Sequence, residues 1–189
     1  TSRFKPEDIR VVREQVVAEF HDRTHDLSFI RRTVLDRLRS ATGYEAGFVD
    51  EAFDVFNAVR NDVELFPEVV PTLAILDRHF ALVAVTNGNS DLERIGIAHF
   101  FDDVITAARA GAAKPARQVF EMAVQTAGYS AKDTLHVGDH PSYDVEGARQ
   151  AGQPTVWVNR VDANWPVALA EPDHEVTHIG ELPTILGVR

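Results

Sequence analysis

The sequence predicts an α/β protein, with a doubly wound parallel sheet and a separate bundle of α-helices. Over residues 7–61, apolar residues recur three times at the spacing of an amphipathic helix. Over residues 68–189, apolar runs of strand length alternate with helical patterns, which is typical of a parallel sheet. We therefore expect a helical domain at residues 1–66 and an α/β core at residues 67–189.

Three amphipathic helices are expected in the helical domain. Asp26 is a candidate N-cap for the second helix, and Gly43 is a candidate end for it. A small bundle buries its apolar stripes against itself or a fourth helix, so the stripe residues are predicted to form its core. The stripes are Ile9, Val12, Val16, Val17 and Phe20, then Leu27, Ile30, Val34, Leu35 and Leu38, then Phe48, Val49, Ala52, Phe53, Phe56 and Val59.

In the α/β core, the most informative segment is the apolar run Ala81–Val85. Apolar character without alternation indicates a parallel strand that is covered on both faces. Trp157 and Trp165 are interpreted as packing residues, and residues 162–172 as a surface loop. The other elements expected are helices over 68–78, 91–99, 116–127 and 144–149, and strands over 103–106, near Leu135, over 155–158 and over 175–178.

Composition limits the classes of function. The chain has 189 residues and a formal net charge of −10, without a Lys/Arg-rich run, which predicts neither a nucleic-acid nor a membrane partner. The absence of cysteine excludes a disulfide framework within these residues and fits a reducing compartment. The longest apolar run, Phe80–Val85, is too short to span a bilayer. We expect a cytoplasmic protein, and a homodimer is compatible with the sequence.

The stretch Thr134–Asp144 carries the strongest chemical signal. A strand through Leu135 ends at Gly138, and two carboxylates, Asp139 and Asp144, follow it. Open α/β sheets bind ligands at the carboxyl ends of their strands, and carboxylate oxygens there suit Mg²⁺. The alternative is that Asp139 only begins a turn and Asp144 only caps the next helix.

Two other strand ends carry polar residues. Thr86 offers a hydroxyl after the first strand of the core, and Asn87 and Gly88 offer backbone N–H groups in a turn that suits phosphate oxygens. Lys114, just ahead of a helix, supplies a cation. Turn formation or a solvated surface charge explains each feature alone, but their common position at one sheet edge favours a binding site.

His136 and His140 flank Asp139 and have a spacing that a metal cluster could use. We interpret His136 instead as a core histidine and His140 as a turn residue beside the site.

In this order, the motifs resemble those of the haloacid dehalogenase superfamily, in the subgroup with a helical cap inserted before the second sheet strand. The resemblance covers essentially the whole chain and implies that residues 1–66 are that cap. It also implies that Thr86 binds the transferring phosphoryl group and that Lys114 steadies its charge. By the same resemblance Asp139 is a direct Mg²⁺ ligand, and Asp144 is a ligand or holds a coordinated water.

One part of the family pattern is missing from the sequence. The family's nucleophile lies in an Asp-x-Asp-x-Thr run on a first strand, which occupies the centre of the sheet. We expect the natural protein to carry that strand ahead of Thr1. Without it, the segments Val83–Val85 and Leu135–Val137 are predicted to be second neighbours with no ladder of hydrogen bonds between them. An empty slot there leaves buried strand edges, which are costly.

The predicted function is Mg²⁺-dependent hydrolysis of a phosphomonoester in a small phosphorylated metabolite, through a phosphoaspartate on the missing strand. Asn57 and Arg60 of the third helix are candidates for substrate selection. In the empty fold Lys114 is expected to have little structural role, so Lys114→Ala should lower turnover more than stability.

Two alternative functions stay open. One is carbon–halogen cleavage of the 2-haloacid dehalogenase type, which Asp139 and Asp144 disfavour, because dehalogenases of this family typically carry a Ser-x-Asn-x-x-Asp run there. The other is a non-catalytic scaffold or binding module that lacks the nucleophile.

Overall fold

A computed structural model of the chain describes residues 5–189. The chain divides into two compact units. The helical unit runs up to Val63 and includes the later segment Gly88–Ile95, whereas the α/β unit comprises Glu64–Asn87 and Gly96–Arg189.

The main elements follow the alternation expected from the sequence. No helix within residues 5–189 is long and apolar enough to cross a membrane. In chain order the elements are α1 (Pro6–Glu19), α2 (Leu27–Thr42), α3 (Phe48–Asn61), α4 (Val69–Leu76), β1 (Val83–Thr86), α5 (Leu92–Ile95), β2 (Asp103–Thr106), α6 (Ala107–Ala110), α7 (Arg117–Ala127), β3 (His136–Gly138), a π-helix (Pro141–Glu146), α8 (Gly147–Gln150), β4 (Thr155–Val158), β5 (His174–Val176) and α9 (Leu182–Ile185).

In the helical unit, α2 packs against both α1 and α3. The Asp26 carboxylate accepts the N–H of Phe29 at 2.9 Å, which confirms the predicted N-cap of α2. Gly43 follows the helix with a φ of 73°, a left-handed conformation that glycine adopts without strain. The buried core of the α1–α2 pair consists of Val16, Ile30, Val34 and Leu38.

Three residues predicted for the helical core are exposed instead. Ile9 near the start of α1 is 43% exposed, Leu27 at the start of α2 is 36% exposed, and Val59 on α3 is 72% exposed. The rings of Phe53 and Phe56 on α3 lie beneath guanidinium groups of α2. Because α3 meets α2 through these two rings, Val59 falls outside the contact.

The segment after β1 is attached to the helical unit through Asn61, a buried residue at the end of α3. Its amide nitrogen donates to the carbonyl of Asn57 at 2.8 Å, and its amide oxygen accepts the N–H of Asp91 at 2.8 Å. Both ends of the buried amide are therefore satisfied. The helix predicted over residues 91–99 is shorter than expected, because Gly96 adopts a φ of 87° after α5.

The strands of the α/β unit are parallel, which confirms the predicted fold class, but they form two separate sheets. β1 pairs with β2, while β3, β4 and β5 form a second sheet in that order. The central strand β4 is buried over Thr155, Val156 and Trp157, as expected for a strand covered on both faces. The last strand is β5 at His174–Val176, somewhat earlier than the expected 175–178.

A gap separates the two sheets. Among the described strands, β1 pairs with β2 and β3 pairs with β4, which confirms that β1 and β3 are not direct neighbours. A cavity of about 330 Å³ lies between them, lined by Val83 and Val85 on one side and by Leu135 and Val137 on the other. We call this space the strand gap.

Backbone groups on both edges point into the strand gap. The N–H of His136 donates to Pro154 on the β4 side at 2.9 Å, so the next N–H along β3, that of Val137, points the opposite way. Just before β1, the carbonyl of Leu82 accepts the N–H of Asp102 on the β2 side, so the N–H and carbonyl of Val83 point toward the gap. The strand gap therefore has edges that a further parallel strand would satisfy.

Amide hydrogen exchange tests this arrangement. We expect the amide of Val137 to exchange about a hundredfold or more faster than that of Val156, because the former faces the strand gap and the latter lies on a strand paired on both sides. Equal protection of the two amides, measured by NMR under native conditions, would show that the gap is closed in solution.

Candidate functional site

The carboxyl ends of β1 and β3 are joined by one buried cation. The ammonium of Lys114 lies 2.6 Å from Oδ1 of Asp144 and donates a hydrogen bond to the carbonyl of Val85 at 3.0 Å. The side chains of Lys114 and Asp144 are 12% and 5% exposed. Lys114 thus connects the end of β1 with the loop after β3, on the two sides of the strand gap.

This contact contradicts one expectation. Lys114 was expected to have little structural role in the empty fold, so that its loss would affect turnover more than stability. The structure gives it a buried carboxylate partner, Asp144. Removing the ammonium would leave that carboxylate buried without a neutralising charge, which is strongly destabilising.

Asp144 is surrounded by groups that favour its ionised form. Burial by itself raises the pKa of Asp144, but His136, Lys114 and the N–H of His140 act in the opposite direction and hold it well below its usual value. The His140 N–H donates to Oδ2 at 3.0 Å. Nε2 of His136 lies 3.6 Å from Oδ1, beyond hydrogen-bond range. Asp144 is therefore a permanent anion at neutral pH.

Asn87 fixes the position of the Lys114 backbone. Its amide oxygen accepts the N–H of Lys114 at 2.6 Å, and its amide nitrogen donates to the carbonyl of Lys114 at 2.9 Å. The sequence suggested Asn87 for its backbone N–H, and its side chain has this additional role. Thr86 is the last residue of β1, and Gly88 begins the segment that belongs to the helical unit.

Asp139 has a different environment, because it is exposed. Its carboxylate forms no ion pair or hydrogen bond with another residue in the range 5–189. Its backbone carbonyl, however, accepts the indole N–H of Trp157 at 2.9 Å. Trp157, predicted to be a packing residue, is indeed buried, and it also holds the backbone of the Asp139 loop.

A π-helix at Pro141–Glu146 places Asp144 close to the end of β3. A Cβ atom on Gly138 would lie 2.4 Å from the Cβ of Asp144, so only glycine fits before Asp139. Wider π-helical turns are frequent at functional sites. The sequence predicted a regular helix over 144–149, and the wider turn at its start was not anticipated.

The donor atoms in this region fit a hard divalent cation. The described residues contain no group of three or more His, Asp or Glu side chains arranged for a metal ion. They do offer the exposed carboxylate of Asp139 and the carboxylate of Asp144, whose Oδ1 lies 2.6 Å from the ammonium of Lys114. Mg²⁺ commonly uses one or two protein carboxylates and fills its other positions with water and phosphate.

Sequence reasoning missed the pairing of Lys114 with Asp144 and three further contacts of this site. The burial of His136 was expected, but its approach to Asp144 was not. The side-chain contacts of Asn87 and Trp157 were missed because both join segments that are far apart in the sequence. The glycine that precedes Asp139 was the one available signal, since a small residue beside a carboxylate pair indicates a close approach.

Fold and site together define a class: a parallel α/β protein with a buried lysine–aspartate pair and an exposed carboxylate at the carboxyl ends of its strands. A family model described as haloacid dehalogenase-like hydrolase matches residues 4–152. The chain therefore belongs to the haloacid dehalogenase-like hydrolases, as the sequence motifs indicated.

Known relatives within this family have different names. A phosphoserine phosphatase of Thermus thermophilus is 38% identical over 116 residues, which cover 58% of this chain and 47% of the relative. A 5-amino-6-(5-phospho-D-ribitylamino)uracil phosphatase of Escherichia coli is 27% identical, over 97% of this chain and 80% of the relative. The crystal structure of a 2-haloacid dehalogenase from Pseudomonas syringae matches with a TM-score of 0.93 and 36% identity, over 98% of this chain and 82% of that one.

The carboxylates of Asp139 and Asp144 should differ in their contribution to the stability of the fold. We expect Asp144→Asn to lower the free energy of unfolding by about 3 kcal/mol, because it leaves the ammonium of Lys114 buried without a charged partner. The same change at the exposed Asp139 should have little effect. Urea unfolding of both variants measures the difference, and equal losses would contradict the role of the ion pair.

Proposed function

We propose that this protein is a Mg²⁺-dependent phosphatase of small phosphorylated metabolites, active when a strand with an aspartate nucleophile occupies the strand gap. The observation that carries the proposal is the buried Lys114–Asp144 pair beside that gap. It gives a fixed cation at the sheet edge where ligands of α/β proteins bind.

The residues of this chain have distinct roles in the proposed reaction. The ammonium of Lys114 donates to an oxygen of the phosphoryl group and stabilises its charge. By the family resemblance, the hydroxyl of Thr86 and the backbone N–H of Asn87 are expected to contact the same group. Asn87 also keeps Lys114 in place through its two hydrogen bonds to the lysine backbone.

Charge balance supports the need for a divalent cation. Asp139 and Asp144 carry two negative charges and Lys114 carries one positive charge, so these residues would repel a phosphate dianion. Asp139, with Asp144 directly or through a water, would hold Mg²⁺, which neutralises charge on the phosphoryl oxygens when bound. With Mg²⁺ bound, the net charge of these groups becomes positive, and phosphate binding is favourable.

The strand gap supports a nucleophile that comes from an additional strand. Nε2 of His136 and Oε1 of Gln153 are buried, form no hydrogen bond within the described range and belong to residues that line the gap. A parallel strand there would pair with β1 and β3, and its carboxyl end would lie at the same edge as Lys114 and Asp139. An aspartate at that end attacks phosphorus, the ester oxygen leaves with the alcohol, and water then hydrolyses the phosphoaspartate.

The names of the relatives support a small substrate but do not agree on one reaction. The relatives from Thermus thermophilus and Escherichia coli are named for phosphate esters of small metabolites. The second candidate function is dehalogenation, which the close structural match to a 2-haloacid dehalogenase favours. Asp139 and Asp144 favour the phosphatase, because a metal-free dehalogenase needs no pair of carboxylates for Mg²⁺.

Supplying the strand tests the proposal. The chain is mixed with, or extended by, an apolar strand that ends in Asp-x-Asp-x-Thr, and hydrolysis of p-nitrophenyl phosphate is followed. We expect turnover with Mg²⁺, loss of turnover with EDTA, and a decrease by orders of magnitude in Asp139→Asn, because this carboxylate is the exposed metal ligand.

The control strand carries Asn at both Asp positions and should give no turnover. Normal turnover by Asp139→Asn would contradict the metal assignment. Chloride release from 2-chloropropionate that persists in EDTA, without phosphate release, would favour the dehalogenase. Binding of the strand without either activity would favour the non-catalytic scaffold.

A further inference from the structure

The arginines of the helical unit fall into two groups. Most of those that the structure describes form an ion pair with a carboxylate of the same unit. The pairs are Arg10–Glu14, Arg23–Asp26, Arg32–Asp50, Arg37–Glu19, Arg39–Asp36 and Arg94–Asp91. The remaining three, Arg13, Arg31 and Arg60, form no ion pair with any residue in the described range. The four residues ahead of Lys5 contain no carboxylate either.

The three unpaired arginines lie on α1, α2 and α3, and α2 packs against both of the other helices. The guanidinium of Arg31 on α2 lies over the ring of Phe56 on α3, 3.5 Å from its centroid. Arg60 is four residues after Phe56 and therefore lies on the same face of α3. Arg13 is one turn before Val16, which packs against Ile30, the neighbour of Arg31.

The charges of these arginines act on one another. Burial lowers the pKa of Arg31, and the nearby charges of Arg60 and Arg13 lower it further. Like charges close together are unfavourable unless an anion joins them.

We propose that Arg13, Arg31 and Arg60 form a binding site for a small multivalent oxyanion, such as a phosphate or polycarboxylate group. The stacking of Arg31 on Phe56 fixes its plane and leaves the N–H groups at its edge free to donate. Guanidinium groups bind such oxygens through paired, charge-assisted hydrogen bonds. The site consists of helical-unit residues alone and does not rest on the proposed hydrolysis.

Side-chain NMR of the 189-residue protein tests this site. The protein is labelled with ¹⁵N at arginine and lysine and titrated with inorganic pyrophosphate, and separately with citrate, at constant ionic strength. We expect saturable shifts of the Nε–Hε signals of Arg31 and Arg60. Arg60→Gln should weaken binding about tenfold, since it removes one charged hydrogen-bond donor. A response to pyrophosphate alone would define a phosphate site, and a response to citrate as well would define a general oxyanion site.

Matched variants distinguish a specific anion-binding site from nonspecific attraction of anions to positive charge. Arg10→Gln removes an arginine of α1 that is already paired with Glu14 and should change the affinity less than twofold. Arg13→Gln, on the same helix, should weaken binding as Arg60→Gln does. Shifts that grow linearly without saturation, or equal effects of Arg10→Gln and Arg13→Gln, would overturn the proposal.

Thermal unfolding and the NMR signal of Lys114 provide two further tests. In buffer without a multivalent anion, Arg60→Gln should raise the midpoint of thermal unfolding, because it relieves repulsion, and should reduce the rise that pyrophosphate causes. If pyrophosphate raises the unfolding midpoint of Arg60→Gln as much as that of the original protein, the proposed site is wrong. The Nζ signal of Lys114 reports on the other site and should not respond without Mg²⁺, because Asp139 and Asp144 repel phosphate there. A response of Lys114 in place of the arginines would overturn the proposal.

Discussion

The structure of the α/β unit depends on one ammonium group at the end of the strand gap. Lys114 contacts the carbonyl of Val85 at the end of β1 and the carboxylate of Asp144 beyond β3. Taking two charges out of water is costly, and close geometry with additional hydrogen bonds is needed to offset that cost. Both conditions hold here, because the ion pair is short and the second oxygen of Asp144 accepts the N–H of His140.

Other features of the site serve this contact. Asn87 holds the lysine backbone on the β1 side. On the β3 side, the π-helix carries Asp144 toward the strand end, and the absence of a side chain at Gly138 leaves room for it. Trp157 fixes the loop between the two aspartates from the neighbouring strand. Each of these residues is ordinary by itself, and together they set the distance between two strand ends that have no ladder between them.

The sequence predicted the elements of the fold better than the contacts between them. Periodicity located the helices and strands because apolar spacing follows local geometry. It misassigned Val59, because the side of α3 that packs depends on where the rings of Phe53 and Phe56 meet α2. The strand gap was predictable because the family's central strand was absent from the sequence.

The same limit applies to the candidate site. Asp139 and Asp144 stood out because a carboxylate pair after a strand is a local pattern. The pairing of Lys114 with Asp144 joins residues 30 positions apart in the sequence, and no local pattern encodes it. The side-chain contacts of Asn87 and Trp157 also join segments that are far apart in the sequence. Motifs therefore identify which groups are present, and tertiary packing decides which of them touch.

Lys114 and Arg31 differ in burial and in how their charges are accommodated. Lys114 is almost completely enclosed, so its charge requires an internal partner, and the fold supplies Asp144. Arg31 is only partly covered, so water and dissolved anions reach it, and the fold supplies an aromatic ring instead of a carboxylate. The chain has a net charge of −10, so carboxylates are abundant. Arg13, Arg31 and Arg60 therefore lack carboxylate partners because of where they lie on their helices. A buried cation stabilises the fold from within, whereas an exposed cluster of cations is neutralised only by what binds from outside.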